Sequence, residues 1–244
     1  MKSILCLLIT IVLQSCASTH SHSPIVDAVK NSNRTAAETK ADEYRHPAEL
    51  LEFSKVKAGD TLVDFFPGKG YFTKLFSNLV GANGHVIAQV PKEVEGAHFK
   101  PVESARESAK GLSNVEVKVL PMSEAPAMNI DVVWTSQNYH DVHIKKFLNT
   151  DVAAFNKLLF KMIKPGGYLV IIDHVATTGT TQEDIEKLHR IDPAQVRKEI
   201  EAAGFVFDGE SKVLQRNEDH SKNVFNPEIR SKTDQFAFRF RKPN

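Results

Sequence analysis

The sequence predicts an α/β fold on a mostly parallel sheet of seven strands, the last of them antiparallel. Three observations carry that reading. Short apolar runs alternate with amphipathic helical stretches beyond residue 60, and such alternation implies a parallel sheet covered on both faces. The run Thr61–Phe66 passes through Pro67-Gly68-Lys69-Gly70 into the helical stretch Tyr71–Val80. Lys164-Pro165-Gly166-Gly167 stops a long helical stretch just before the apolar run Tyr168–His174.

In chain order, Lys2 and the apolar run Ile4–Leu13 come first, too short for a stable membrane span. They lead to Leu13-Gln14-Ser15-Cys16, which resembles the bacterial lipobox. Residues 1–15 are therefore expected to be a lipoprotein signal peptide, and Cys16 the lipidated residue. Several acyl chains on one cysteine hold a protein to a membrane essentially permanently. Ala17 follows instead of an aspartate, which in enteric bacteria resembles proteins sent to the outer membrane. The expectation is an exported protein of the bacterial periplasm, anchored through Cys16. Residues 16–34 are rich in Ser, Thr, His and Asn and read as a flexible tether, and residues 35–244 as the folded domain.

Within that domain, Ala36–Phe53 reads as helix, split at Pro47. Strands follow at Thr61–Phe66, His85–Val90, Val115–Leu120, Asp131–Ser136 and Tyr168–His174. Helices are expected at Tyr71–Val80, Val102–Lys110 and Lys145–Ile163, the last with Phe147, Val152, Phe155, Leu158, Leu159 and Met162 on one face. Asp192 is a natural N-cap for Pro193–Ala203, and Gly204 ends that helix. Phe205–Leu214 and Asp234–Phe240 alternate as closing antiparallel strands.

Composition excludes some functions. With 31 Lys and Arg against 30 Asp and Glu, and no basic stripe, nothing favours nucleic acid as a partner. Both cysteines, Cys6 and Cys16, lie in the first sixteen residues, so the folded body has neither a disulfide nor a thiol nucleophile.

The segment Asp64-Phe65-Phe66-Pro67-Gly68-Lys69-Gly70 resembles the first motif of class I S-adenosylmethionine-dependent methyltransferases, with Phe66 at the first glycine position. Asp131–His140, Lys164–His174 and Ala202-Ala203-Gly204-Phe205 match the family's fourth strand, fifth strand and helix-to-sixth-strand turn. More narrowly, Pro67–Tyr71, Asn138-Tyr139-His140-Asp141 and Arg45-His46-Pro47 resemble a bacterial group called predicted methyltransferases. The resemblance covers roughly Leu50 to the end. It implies a Rossmann-like fold, S-adenosylmethionine as cofactor, and cofactor contacts from Asp64, Phe66, Pro67, Gly68, Gly70, Tyr71, Gln137 and Asn138. Two departures stand out. The second strand ends at Gln89-Val90 where the family has the acid that holds the ribose, and Gln89 or Glu93 would have to substitute. After the third strand the usual aspartate near the adenine is absent, and Ser123 or a backbone group would have to serve.

A hydroxyl or amine acceptor needs a proton removed, typically by His or a carboxylate. Tyr139, His140, Asp173 and His174, beyond the fourth and fifth strands, are the catalytic candidates, with Asp141 beside them. The spacing of His140, Asp141, His143, Asp173 and His174 matches no defined metal motif, so no metal is assigned. His143 and His189 read as surface groups, with His189-Arg190-Ile191-Asp192 placed where it could border the substrate crevice; Arg45 and His46 read as solvated helix, with closure over the site as a weaker alternative. The expected function is methyl transfer to a small or lipid-like acceptor. The alternative is a non-catalytic ligand-binding lipoprotein on a degenerate form of the same fold, and a metal-dependent hydrolase-like site is weaker still.

Overall fold

The computed structural model describes residues 23–244. The expected signal peptide and Cys16 lie outside the described residues. Seven strands form one sheet in the order β3-β2-β1-β4-β5-β7-β6. They are β1 Thr61–Phe65, β2 His85–Pro91, β3 Val115–Leu120, β4 Ile130–Ser136, β5 Ile163–His174, β6 Val206–Ser211 and β7 Gln235–Arg241. β1 to β5 pair in parallel, and β7 pairs antiparallel with both β5 and β6. The order reverses between β1 and β4. Open α/β sheets bind ligands at such a switch point, outside the carboxyl ends of the strands.

Side chains alternate across each strand, so the sheet feeds two cores. Val63, Phe65, Ile87, Val133 and Ile171 face one, and Leu62, Val86, Val132, Trp134 and Ile172 the other. On the second face α4 (Tyr71–Val80) lays Phe72 and Phe76 against buried Trp134, with ring centroids 4.7 and 5.1 Å away. This packing fixes the helix that begins at the glycine turn, and with it the turn.

The first helices depart from expectation. Pro24–Lys30 is a helix (α1), where residues 16–34 read as flexible tether. The reason is packing: Ala28 is buried, and the Asn78 amide of α4 donates to its carbonyl at 3.1 Å. Arg34, next along, is also buried and reaches Asp42 with both terminal nitrogens. Then α2 (Ala36–Arg45) opens with a capping box between Thr35 and Glu38, and α3 (Pro47–Ser54) follows His46, whose φ of 46° makes the break expected at Pro47.

Helix α5 is Pro101–Ala109 and α6 is Val152–Met162. The start of α6 corrects the expected Lys145–Ile163 helix. Asp151 caps it by accepting from the Ala154 amide at 2.8 Å, and Asn149 just before has φ 41°. At its far end the chain enters β5 at once, with Ile163 already paired to Ile130. Thr181 and Asp184 form a capping box that starts α7 (Gln182–Leu188), a helix the apolar periodicity does not announce. Asp192 caps α8 (Pro193–Ala202) as expected, accepting from Ala194 at 2.8 Å. The sixth strand is shorter than the expected Phe205–Leu214, pairing with β7 only from Val206 to Ser211, with its register slipping between Phe207 and Gly209, where Gly209 has φ 141°.

Candidate functional site

A cleft of about 710 Å³ opens over the carboxyl ends of β1, β4 and β5. Its floor is the turn from β1 into α4. Gly68 has φ 58°, and a Cβ built there meets no atom within 4 Å, so the backbone faces open space. Gly70, at φ 75°, lies beneath the cleft: a Cβ would come within 2.3 Å of Ser108 Cβ. At Gly68 the left-handed φ favours glycine, and at Gly70 the close approach of Ser108 requires it as well.

Two bulky residues share the left-handed region here. Phe66 has φ 61° and Gln137, just past β4, has φ 65°. That conformation costs a non-glycine residue about 1–2 kcal/mol, so neighbouring bonds must hold it. The Phe66 amide donates to Gln89 O at 2.9 Å, and the Gln137 amide to Ile172 O at 2.7 Å. The Asn138 amide nitrogen joins the two strand ends, donating to Phe66 O at 3.2 Å and to Ser136 O at 2.6 Å.

Asp64, Phe66, Pro67, Gly68 and Tyr71 all line the cleft, as do Gln137, Asn138, His140 and His174. Asp64 is almost fully enclosed and accepts from Thr73 Oγ1 at 2.6 Å. Burial pushes its carboxyl up to about 7, against the smaller opposing effect of that hydrogen bond. The Tyr71 hydroxyl donates a hydrogen bond to Asp42 at 2.6 Å, while the Arg45 guanidinium sits 4.6 Å above its ring.

The far end of the cleft is ionic. Asp173 is completely buried and accepts from the His140 backbone at 2.6 Å, from His140 Nδ1 at 2.8 Å and from the His174 amide at 2.8 Å. His140 Nε2 lies 3.2 Å from Asp141 Oδ1. Burial works against charging His140, but Asp173 and Asp141 on either side outweigh it and raise the imidazole to about 10. Burial likewise opposes the Asp141 carboxylate, yet His140 and His189 hold it at about 2. His174 bonds Thr233 Oγ1 through Nδ1 at 2.8 Å, and burial keeps it neutral, lowered to about 3. One imidazole is thus held charged and its neighbour uncharged, with ring centroids 5.9 Å apart.

Several expected contacts lie elsewhere. Tyr139 points into the core: its hydroxyl donates to Glu199 at 2.9 Å and accepts from Asn156 at 2.8 Å. The chain turns through a short 3-10 segment, His140–His143, which directs Tyr139 away from the cleft and buries His143 against Glu199 at 3.1 Å. Val90 is in the core, Gln89 is buried, and neither lines the cleft. Ser123 is exposed and also off it. Glu93 instead accepts from the Met122 amide at 2.9 Å, tying the end of β2 to the loop after β3. Asp173 stays behind His140 and does not line the cleft.

Other residues take those places. Phe66, Phe147 and Phe99 form an aromatic row with successive centroids 6.1 Å apart. Phe99 and Phe225 are 42% and 55% exposed, so the cleft opens between apolar side chains. His189 belongs to the site and not to the bare surface: its ring meets His140 edge-on at 5.4 Å, and its Nδ1 lies 3.5 Å from Asp141. Arg45, His98 and Arg230 also line the cleft. Arg45 fits the weaker reading of closure over the site, and His189 the expected border of the crevice; the long-range contact of Phe225 leaves no local signal.

No family model matches the sequence, and no curated protein does. Solved structures do match. An S-adenosylmethionine-dependent methyltransferase from Aquifex aeolicus is 20% identical, with TM-score 0.56 over 84% of this chain and 97% of that one. Fibrillarin from Aeropyrum pernix, with natively bound S-adenosyl-L-methionine, is 12% identical, with TM-score 0.51 over 82% of this chain and 76% of that one. This is the class I methyltransferase fold. The methyltransferase fold also carries other chemistry, since the [4+2]-cyclase SpnF matches with TM-score 0.60 at 16% identity, over 90% of this chain and 92% of that one.

Proposed function

We propose that this protein is an S-adenosylmethionine-dependent methyltransferase acting on an apolar, small or lipid-like acceptor that carries a polar reacting group. The observation that carries the reading is the glycine turn at the switch point: Gly68 faces open space beside enclosed Asp64, where a ligand's backbone contacts would form. Gly68, Pro67, Asp64 and Asn138 would hold the cofactor. It supplies an electrophilic methyl on a sulfonium. The chain must align the acceptor and exclude water. The exposed rings of Phe99 and Phe225 suit an apolar body, and Asp141 and His189 suit a polar group at the inner end. Tyr139 has no place in this chemistry. With no ion bound, Asp173 and Asp141 on either side favour a protonated His140, so it does not act as the base there.

The amino-terminal segment extends the proposal to a membrane-anchored protein lipidated at Cys16 and exported to the periplasm. Replacing Cys16 by Ala should move the protein from the membrane fraction to the soluble one; an unchanged distribution would sink that part alone.

A second reading, a ligand-binding protein without methyl transfer, draws support from Phe66 in the glycine position and from the absence of an acid at the end of β2. SpnF shows that this fold is not tied to one reaction. Calorimetric titration with S-adenosylmethionine and S-adenosylhomocysteine separates the two. Micromolar binding, abolished by Gly68→Val in folded protein, supports the enzyme. No binding up to millimolar concentration in folded wild-type protein removes it.

A further inference from the structure

We propose that His140, Asp141 and His189 form a site for one divalent transition-metal ion, open to the cleft. Each presents one ligand atom, and the three atoms lie within 4.8 Å of one another. His140 Nε2 to Asp141 Oδ1 is 3.2 Å, and His189 Nδ1 to the same oxygen is 3.5 Å. Ligands bonded at 2.0–2.1 Å around a tetrahedral ion stand roughly 3.3 Å apart, so both edges already have the spacing of a coordination shell.

The surroundings are those of a metal site as well. A ligating histidine usually gives its other ring nitrogen to a carboxylate, which fixes its tautomer and orientation. His140 does this toward Asp173, a fully buried residue whose second oxygen accepts from the His140 backbone. His189 is held at the end of α7 with φ 54°, its ring braced edge-on by Phe225 at 4.9 Å. Two imidazoles and one carboxylate suit zinc, iron, cobalt or nickel better than magnesium or calcium. Three protein ligands leave a coordination position for water or a substrate oxygen. All three residues line the cleft, so that position faces the compartment where an acceptor would bind.

The test is a cobalt(II) titration of metal-stripped full-length protein, without S-adenosylmethionine, followed by visible d–d absorption and displacement by zinc. Wild type should take up one equivalent with a spectrum unlike hydrated cobalt. His189→Ala and the isosteric Asp141→Asn should each bind at least about tenfold more weakly, since losing even an outer partner of a ligand typically costs about 10–100-fold. His85→Ala, at an exposed pair with Glu116, should bind as wild type. Circular dichroism would establish that each variant is folded. A hydrated-ion spectrum for wild type at millimolar cobalt overturns the proposal. So does uptake undiminished in folded His189→Ala and Asp141→Asn, because the ion then sits on other ligands. The cofactor is absent throughout, so either result leaves the methyltransferase reading to its own titration.

Discussion

The carboxyl edge of this sheet has two unlike halves. Over β4 and β5, charge is dense and fully partnered: one buried carboxylate, Asp173, accepts three hydrogen bonds, and the neighbouring imidazoles are held in opposite protonation states. Over β2 and β3, Gln89 and Ser123 do not line the cleft, Val90 is core, and the aromatic row of Phe66, Phe147 and Phe99 borders the cleft. The polar half resists change, since removing one partner of a buried pair leaves the other charge stranded. The apolar half tolerates change and has room to adapt. On the proposed reading, chemistry would belong over β4 and β5, and selectivity among ligands over the aromatic row.

The comparison breaks most readily at Asp173. Asp173→Ala should lower stability by about 3–5 kcal/mol, measured by urea unfolding; a loss under about 1 kcal/mol would show that His140 does not depend on it. Asp64 comes next. Its pKa is 3.8 in a free chain and about 7 in the folded protein. As pH rises, the unfolded chain gives up this proton first. The stabilisation is whole below about pH 4 and is lost as pH passes about 7. Asp64→Asn should remove that slope, worth on the order of a few kcal/mol between pH 4 and 8. A variant whose stability falls with pH as steeply as wild type would contradict the assignment.

Phe66→Gly sharpens the comparison. Relief of about 1–2 kcal/mol of left-handed strain should offset the lost contact with Phe147 and leave the melting temperature within a few degrees of wild type. Affinity for S-adenosylmethionine should rise in the same variant, by calorimetry, if Phe66 crowds the cofactor. The smallest effect on stability is expected for Phe99→Ala, about 0.5 kcal/mol or less for a surface side chain. Its effect should appear instead in the range of apolar ligands bound, read by displacement of a fluorescent fatty-acid probe.

Much of this plan could be read from the chain because it is local. Strand periodicity, the Gly68–Gly70 turn, the break at Pro47 and the Asp192 cap are each decided within a few residues. Placing His140, Asp173 and His174 at one edge needed only the strand order. What could not be read depended on direction or distance. Tyr139 and His140 are adjacent, yet the 3-10 turn sends one ring into the core and the other to the cleft. His189 reaches Asp141 from 48 residues away. Pro24–Lys30 looked like tether because it buries only one alanine, and its anchorage comes from Asn78 on another helix.

That anchorage has a geometric consequence. Helix α1 is clamped to α4, and α4 starts at the floor of the cleft. Eight residue steps separate Cys16 from Pro24, a contour of at most about 26–29 Å. With acyl chains on Cys16, the protein would sit on a leash shorter than a bilayer is thick. Acceptors dissolved in the lipid would then come within reach by lateral diffusion, in two dimensions, without ever crossing open solvent.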